Sequence, residues 1–193
     1  MSPFAPLIVG LGGTTRTGSS SELALRFALQ AAERAGAKTA IVAGPALDIP
    51  MYSPERTDRS AAAMELISLL RSSHGVIVSS PGYHGSISGL VKNALDYVED
   101  MRGDEAVYFD GRAVGCVASA HGWQATGSTL AALRSIAHAL RGWPTPVGVA
   151  INTSTKVFDA DGSCLDAAIG KQLKLMAQQV VDFARMKAQE RRR

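Results

Sequence analysis

Two short stretches of this 193-residue chain carry residue types suited to holding a ligand. In the first, Gly12-Gly13-Thr14-Thr15-Arg16-Thr17-Gly18-Ser19-Ser20-Ser21, six hydroxyls and one guanidinium follow a pair of glycines. Together with the unpaired backbone N–H groups at the start of the helix predicted next, these are the makings of an anion cradle. Capping a helix would need one such hydroxyl rather than six. The stretch lacks the Gly-Lys-Ser/Thr ending of a nucleoside-triphosphate loop, and Thr15 stands where the GxGxxG pattern requires glycine, which favours a monophosphate. The second stretch is Ser80-Pro81-Gly82-Tyr83-His84-Gly85-Ser86-Ile87-Ser88-Gly89. Glycines at 82, 85 and 89 let backbone approach a ligand closely, and Tyr83 adds an aromatic face. Backbone amides and carbonyls beside one aromatic suit a flat polar ring. A monophosphate at one end and a planar heterocycle at the other describe a flavin mononucleotide.

Each stretch follows an apolar run, residues 7–11 and 75–79, and strand-like and helix-like patterns alternate through the chain. Strands are expected at 7–11, 38–43, 76–79, 112–119 and 147–151, and helices at 22–35, 60–73, 88–99, 128–140 and 165–187. Three prolines between 44 and 54 mark a loop, Ser88 is placed to cap the third helix, and Gly142-Trp143-Pro144 to stop the fourth. Strict alternation predicts an α/β fold in one domain over residues 1–193. Its five-stranded parallel sheet is doubly wound in the order 2-1-3-4-5, with helices on both faces. The switch point of that order lies between the first and third strands, so the two stretches are expected side by side. A third loop, from Ser119 through His121 and Gly122 to Trp123, follows the fourth strand.

Composition narrows the alternatives. With 46% hydrophobic and 19% charged residues the chain is neither disordered nor membrane-like, and its apolar runs are far shorter than a membrane helix requires. No basic leader precedes the first strand, so a cytoplasmic location is expected. Cys116 and Cys164 form no CxxC, and His74, His84, His121 and His138 show no metal-ligand spacing, so neither a disulfide nor a metal is expected. The net charge of +3 owes part of its excess to residues 185–193, read as a solvated helix end rather than a nucleic-acid site because no aromatics interleave. No GxSxG elbow is present: in Gly85-Ser86-Ile87-Ser88-Gly89, Ile87 stands where a nucleophile would be.

The run from Pro81 to Asp96, PGYHGSISGLVKNALD, resembles the NADPH-dependent FMN reductase signature P-E-Y-N-G-S-I-P-G-x-L-K-N-A-L-D. The first stretch is similar to that family's G-S-x-R-x-x-S-x-N. The resemblance implies a flavodoxin-like fold. It implies phosphate contacts at Thr14 (usually serine), Arg16, Ser19 and Ser21 (commonly asparagine), with Ser20 between them. Ring contacts fall at Pro81, Gly82, Tyr83 and His84, with Gly85 and Ser86 following, and at Ser119, His121 and Gly122 in the third loop. Trp123 is expected to close a pocket or an interface. Gly82 replaces the family's glutamate and His84 its asparagine. The implied activity moves a hydride from NADPH to FMN and on to an acceptor: free flavin for a monooxygenase, a quinone, an azo compound or a metal oxyanion. Because such chemistry belongs to the cofactor, no catalytic side chain is named. The alternative is a flavodoxin-like electron carrier that uses no nicotinamide; carriers of that kind are usually acidic, and this chain is mildly basic. A homodimer or homotetramer is implied, with the helix carrying Leu90, Val91, Ala94, Leu95, Tyr97 and Val98 apolar enough for both a core and a partner face.

Overall fold

A computed structural model of the chain describes residues 4–190, so the last three arginines of the basic terminus lie outside the described residues. Among the described residues no helix is long and apolar enough to cross a membrane. The sheet comprises β1 (Leu7–Gly12), β2 (Lys38–Ala43), β3 (Gly75–Tyr83), β4 (Ser86–Ile87), β5 (Ala113–Ala120), β6 (Trp143–Pro144) and β7 (Val149–Asn152). Its order is β2-β1-β3-β5-β6, with β7 also on β5 and β4 folded back antiparallel on β3. The remaining pairs are parallel. This is the expected 2-1-3-4-5 arrangement with its last strand divided. Trp143-Pro144 does not only stop a helix; it opens that strand. Pro146, which has no N–H for a ladder, then separates β6 from β7.

Side chains alternate across the strands and fill a core on each face. Val9, Leu11, Val76, Val78 and Val114 pack under α2 (Ala61–Ser72), α3 (Gly89–Asp96) and α4 (Trp123–Ala139). Ile8, Ile77, Val117 and Ile151 pack under α1 (Ser20–Arg34) and α5 (Ala167–Glu190). Ser19, Ser60 and Ser88 cap α1, α2 and α3 through their hydroxyls, as their position before an apolar run dictates. The third helix is shorter than expected, giving way to a 3-10 turn at Tyr97–Met101. Its apolar residues do not form two faces: Val91, Ala94, Leu95, Tyr97 and Val98 all point into the core, and only Leu90 is part-exposed.

Two buried polar residues fix the ends of the sheet. Arg112 donates to the carbonyls of Arg71, Ser73 and Tyr108 at 3.0, 2.9 and 2.8 Å, tying the end of α2 to the turn before β5. Asn93, buried on α3, accepts the Tyr52 N–H at 2.7 Å and donates to Ile49 and Pro50 carbonyls at 3.3 and 3.0 Å. That clamp holds the proline-rich loop after β2. Asn93→Ala leaves the Tyr52 N–H and the Ile49 carbonyl without partners, the Pro50 carbonyl keeping the Tyr97 hydroxyl at 2.9 Å, and is expected to cost about 2–3 kcal/mol by chemical denaturation.

Candidate functional site

Three loops meet at the carboxyl ends of β1, β3 and β5, in register. Gly12 lies opposite Ser79, and Pro81 opposite Ser119. The Gly13 N–H donates to the Ser79 carbonyl at 2.9 Å, joining the first loop to β3. Gly12 has φ +142°, and there is no room for a Cβ between it and the Ser79 backbone. The Thr14 hydroxyl accepts from Arg16 N at 3.1 Å and donates to Arg16 O at 3.2 Å, setting a tight turn that leaves the Arg16 side chain in solvent. Ser19 and Ser21 are buried with hydroxyls 3.4 Å apart, Ser20 is half-buried between them, and Ser79 Oγ donates to Ser21 O at 2.8 Å. The N–H groups of Ser20 and Ser21, at the first turn of α1, have no partner among the described residues. They and the hydroxyls around them form a donor-rich pole.

Sequence reasoning missed Glu22. Its carboxylate lies buried at the third helical position, where it accepts the Gly18 N–H at 2.9 Å and the Arg26 guanidinium at 2.8 and 2.7 Å. The signal was present as a serine followed three residues on by glutamate, the capping-box spacing.

The second stretch is not an open loop. β3 continues to Tyr83, and the chain returns at once as β4, pairing Gly82 with Ile87 and Tyr83 with Ser86. His84 and Gly85 are the two central residues, with φ 50° and 89°, the type I′ signature. Asparagine followed by glycine is the commonest pair for that turn, and histidine shares asparagine's tolerance of positive φ. This accounts for His84 at a family asparagine position: the turn needs the backbone angle. Pro81 is buried, Gly82 half-buried, and Tyr83, His84, Gly85 and Ser86 exposed. In such a hairpin the Tyr83–Ser86 pair closes the ladder, and the next pair turns its backbone groups outward, leaving those of Gly82 open to a ligand. Ser80 Oγ accepts the Ser88 N–H at 3.0 Å and donates to Pro81 O at 2.8 Å, locking the hairpin to the start of α3.

Beside Pro81 lies Ser119, whose buried hydroxyl has no partner among the described residues. Every other buried side-chain polar atom among those residues is satisfied. After it, exposed His121 leads to Gly122, with φ 113°, which begins α4 five residues earlier than expected, at Trp123. Asn152, at the end of β7, accepts the Gly122 N–H at 2.9 Å and the Ser154 N–H at 3.0 Å, a positioning role the sequence reading did not assign. Trp123 is 65% exposed and Tyr83 54% exposed, so neither aromatic is part of the core. All fourteen expected residues thus fall on these three strand ends. Cys116, deep in β5, is no nucleophile, since burial pushes its thiol up to about 12.

The geometry has counterparts among known proteins. The family model described as NADPH-dependent FMN reductase matches residues 6–156. The FMN-dependent NADPH-azoreductase of Staphylococcus aureus is 32% identical over 110 residues, covering 56% of this chain and 55% of that protein. The chain therefore spans about half the length of the curated relatives it matches. Among solved structures, FerB, a flavoenzyme NAD(P)H:(acceptor) oxidoreductase from Paracoccus denitrificans, aligns with TM-score 0.78 at 19% identity, covering 93% of this chain and 97% of that one. A flavodoxin, WrbA-like protein from Agrobacterium tumefaciens aligns with TM-score 0.64 at 15% identity over 94% and 99% of the two chains. These two likenesses establish a flavodoxin-like fold. With the family model spanning most of its length, the chain belongs to the NADPH-dependent FMN reductase family.

Proposed function

We propose that this chain is an FMN-dependent NAD(P)H oxidoreductase. The observation that carries the reading is the pairing of an anion-binding pole at residues 14–21 with an open hairpin and an orphaned buried hydroxyl on adjacent strand ends. The donor set fits a phosphate monoester joined to a polar ring. Thr14, Arg16, Ser19, Ser20 and Ser21 would hold the phosphate; the backbone of Pro81, Gly82, Tyr83, His84, Gly85 and Ser86 would hold one edge of the ring, and Ser119, His121 and Gly122 another. The chemistry FMN supplies when bound is acceptance of a hydride from NADPH and its delivery to an acceptor. The protein's own part is to align two rings and keep them in contact, for which no acid or nucleophile is required. Tyr83, at the end of β3, and Trp123, at the start of α4, are exposed and would offer aromatic faces to a nicotinamide and an acceptor entering in turn.

Likeness to an azoreductase favours an azo compound as acceptor, with a quinone, a metal oxyanion or free flavin for a monooxygenase as the other outlets. Copies of the chain associating as a dimer or tetramer belong to the same proposal, through a surface other than the apolar stripe of α3. The test is purified protein with FMN and NADPH under air, then with an azo dye and a quinone. NADPH oxidation above the protein-free background is expected, and its absence would reject the reductase in favour of a carrier.

Ser119 offers a check with two opposite signs. Ser119→Ala removes a buried, unsatisfied hydroxyl, so the ligand-free protein is expected to gain about 1 kcal/mol in denaturant titrations. FMN affinity should fall by roughly fivefold as one hydrogen bond is lost. A variant unchanged in both measurements would remove Ser119 from the ring site.

A further inference from the structure

A loop built to hold a dianion as tightly as possible would not be wound around a carboxylate, yet residues 13–18 are. A Cβ on Gly13 would lie 3.2 Å from Glu22 Cβ, and Gly18 gives its N–H to Glu22 Oε2 at 2.9 Å. On the far side, a Cβ on Gly44, after β2, would lie 3.8 Å from the same oxygen. Gly18 and Gly44 thus flank a carboxylate whose side chain is only 1% exposed, while Gly13 lies against the Cβ that carries it. It does not make the usual capping box, in which the third helical residue reaches the N–H of the cap. Glu22 reaches one residue further back, past Ser19 to Gly18, and removes that N–H from the donors open to a ligand.

The charge is offset from one side only. Arg26, one turn along α1, places Nε and Nη2 on Oε1 at 2.8 and 2.7 Å while remaining 50% exposed. Oε2, the oxygen bonded to the loop, has no cation on it among the described residues. The donor pole of Ser20, Ser21 and Arg16 therefore shares its helix end with a buried anion whose counterion sits on the solvent side.

From this geometry we infer that the Glu22–Arg26 pair sets how tightly the 12–21 loop holds a phosphate monoester, with Glu22 lowering the affinity and Arg26 restoring part of it. The inference rests on the reading of that loop as the FMN phosphate site. Its functional meaning is a weaker hold on the phosphate than the donors of the loop would give without the buried carboxylate.

The test uses two variants with opposite expected signs. Glu22→Gln keeps an oxygen for the Gly18 N–H but removes the negative charge; Arg26→Gln leaves the carboxylate without its cation. FMN and riboflavin are titrated by flavin fluorescence, and inorganic phosphate by its shift of the melting temperature. FMN should bind about tenfold tighter to Glu22→Gln and about tenfold weaker to Arg26→Gln, with riboflavin, which has no phosphate, unchanged in both. Inorganic phosphate should move in the same two directions. FMN changes of one sign, equal changes for FMN and riboflavin, or no change would overturn the role of the pair. If no form binds either flavin while phosphate still follows the two signs, the FMN reading falls and the role of the pair stands.

Discussion

Gly12→Ala is expected to abolish a stable fold or to lower the melting temperature by about ten degrees or more, because a methyl there meets a closer contact than at any other glycine described. A Cβ there would lie 1.8 Å from the Ser79 carbonyl oxygen, 2.7 Å from its carbon and 2.9 Å from the Ser79 nitrogen. All three are backbone atoms of the neighbouring central strand, so no side chain can swing aside. The φ of +142° adds strain that an L side chain would bear even in open space. Relief would require β1 and β3 to part at their carboxyl ends, breaking the Gly13 N–H bond to Ser79 and with it the seam between two of the three loops. Such a rearrangement costs on the order of 4 kcal/mol or more, out of a total stability of about 5–15 kcal/mol. Circular dichroism melts of the two proteins decide the matter: a variant melting within two or three degrees of wild type would contradict this geometry.

Gly82→Glu, which installs the residue its family usually carries, is expected to destabilise this protein by about 3 kcal/mol. The first atom of any side chain at 82 would meet Thr129 Oγ1 at 2.5 Å, Ala120 Cβ at 3.1 Å and the Ala125 carbonyl at 3.3 Å. Thr129 is fully buried on α4 and its hydroxyl donates to Ser86 O at 3.3 Å, so it is held by the very hairpin it obstructs. The departure at 82 is therefore paired with the close approach of α4. Thr129→Ala in the same chain should recover at least 1 kcal/mol of the loss, measured as a double-mutant cycle in denaturant. Strict additivity of the two changes would show that the contact does not matter.

Most of the architecture could be read directly from the chain. Apolar runs such as Leu7 to Leu11 and Val76 to Val78, each leading into a glycine-rich stretch, are covered on both faces and announce a parallel sheet. Ser88 marks a helix start because a hydroxyl before an apolar run can accept an unpaired N–H there, and Ser19 and Ser60 cap in the same way in the structure. The failures have a common physical cause: proline and glycine were taken as chain breakers where tertiary context tolerates them. β1 ends opposite Ser79, so β3 beyond that point has one fewer neighbour and can continue through Pro81 and Gly82. α4 begins at Trp123 with Gly122 before it and Gly127 inside it, lacking the polar cap that would have announced its start. Glu22, Asn93, Thr129 and Asn152 escaped because each acts through a partner distant in space or through a reach that spacing alone does not reveal.

The hairpin at the end of β3 also fixes what kinds of change this chain can absorb. Two residues of β3, Gly82 and Tyr83, extend beyond the last rung shared with β5, a projection of about 7 Å. Inserting or deleting one residue between Ser79 and Tyr83 would invert the alternation, turning the ring of Tyr83 into the space that Gly82 keeps clear for Thr129. At this edge of the site, neither the chain length nor the glycine at 82 can change freely, whereas the exposed side chains of Tyr83 and Ser86 can. The loop at 12–21, pinned only near its ends, can by contrast change sequence between the pins without moving anything in the sheet.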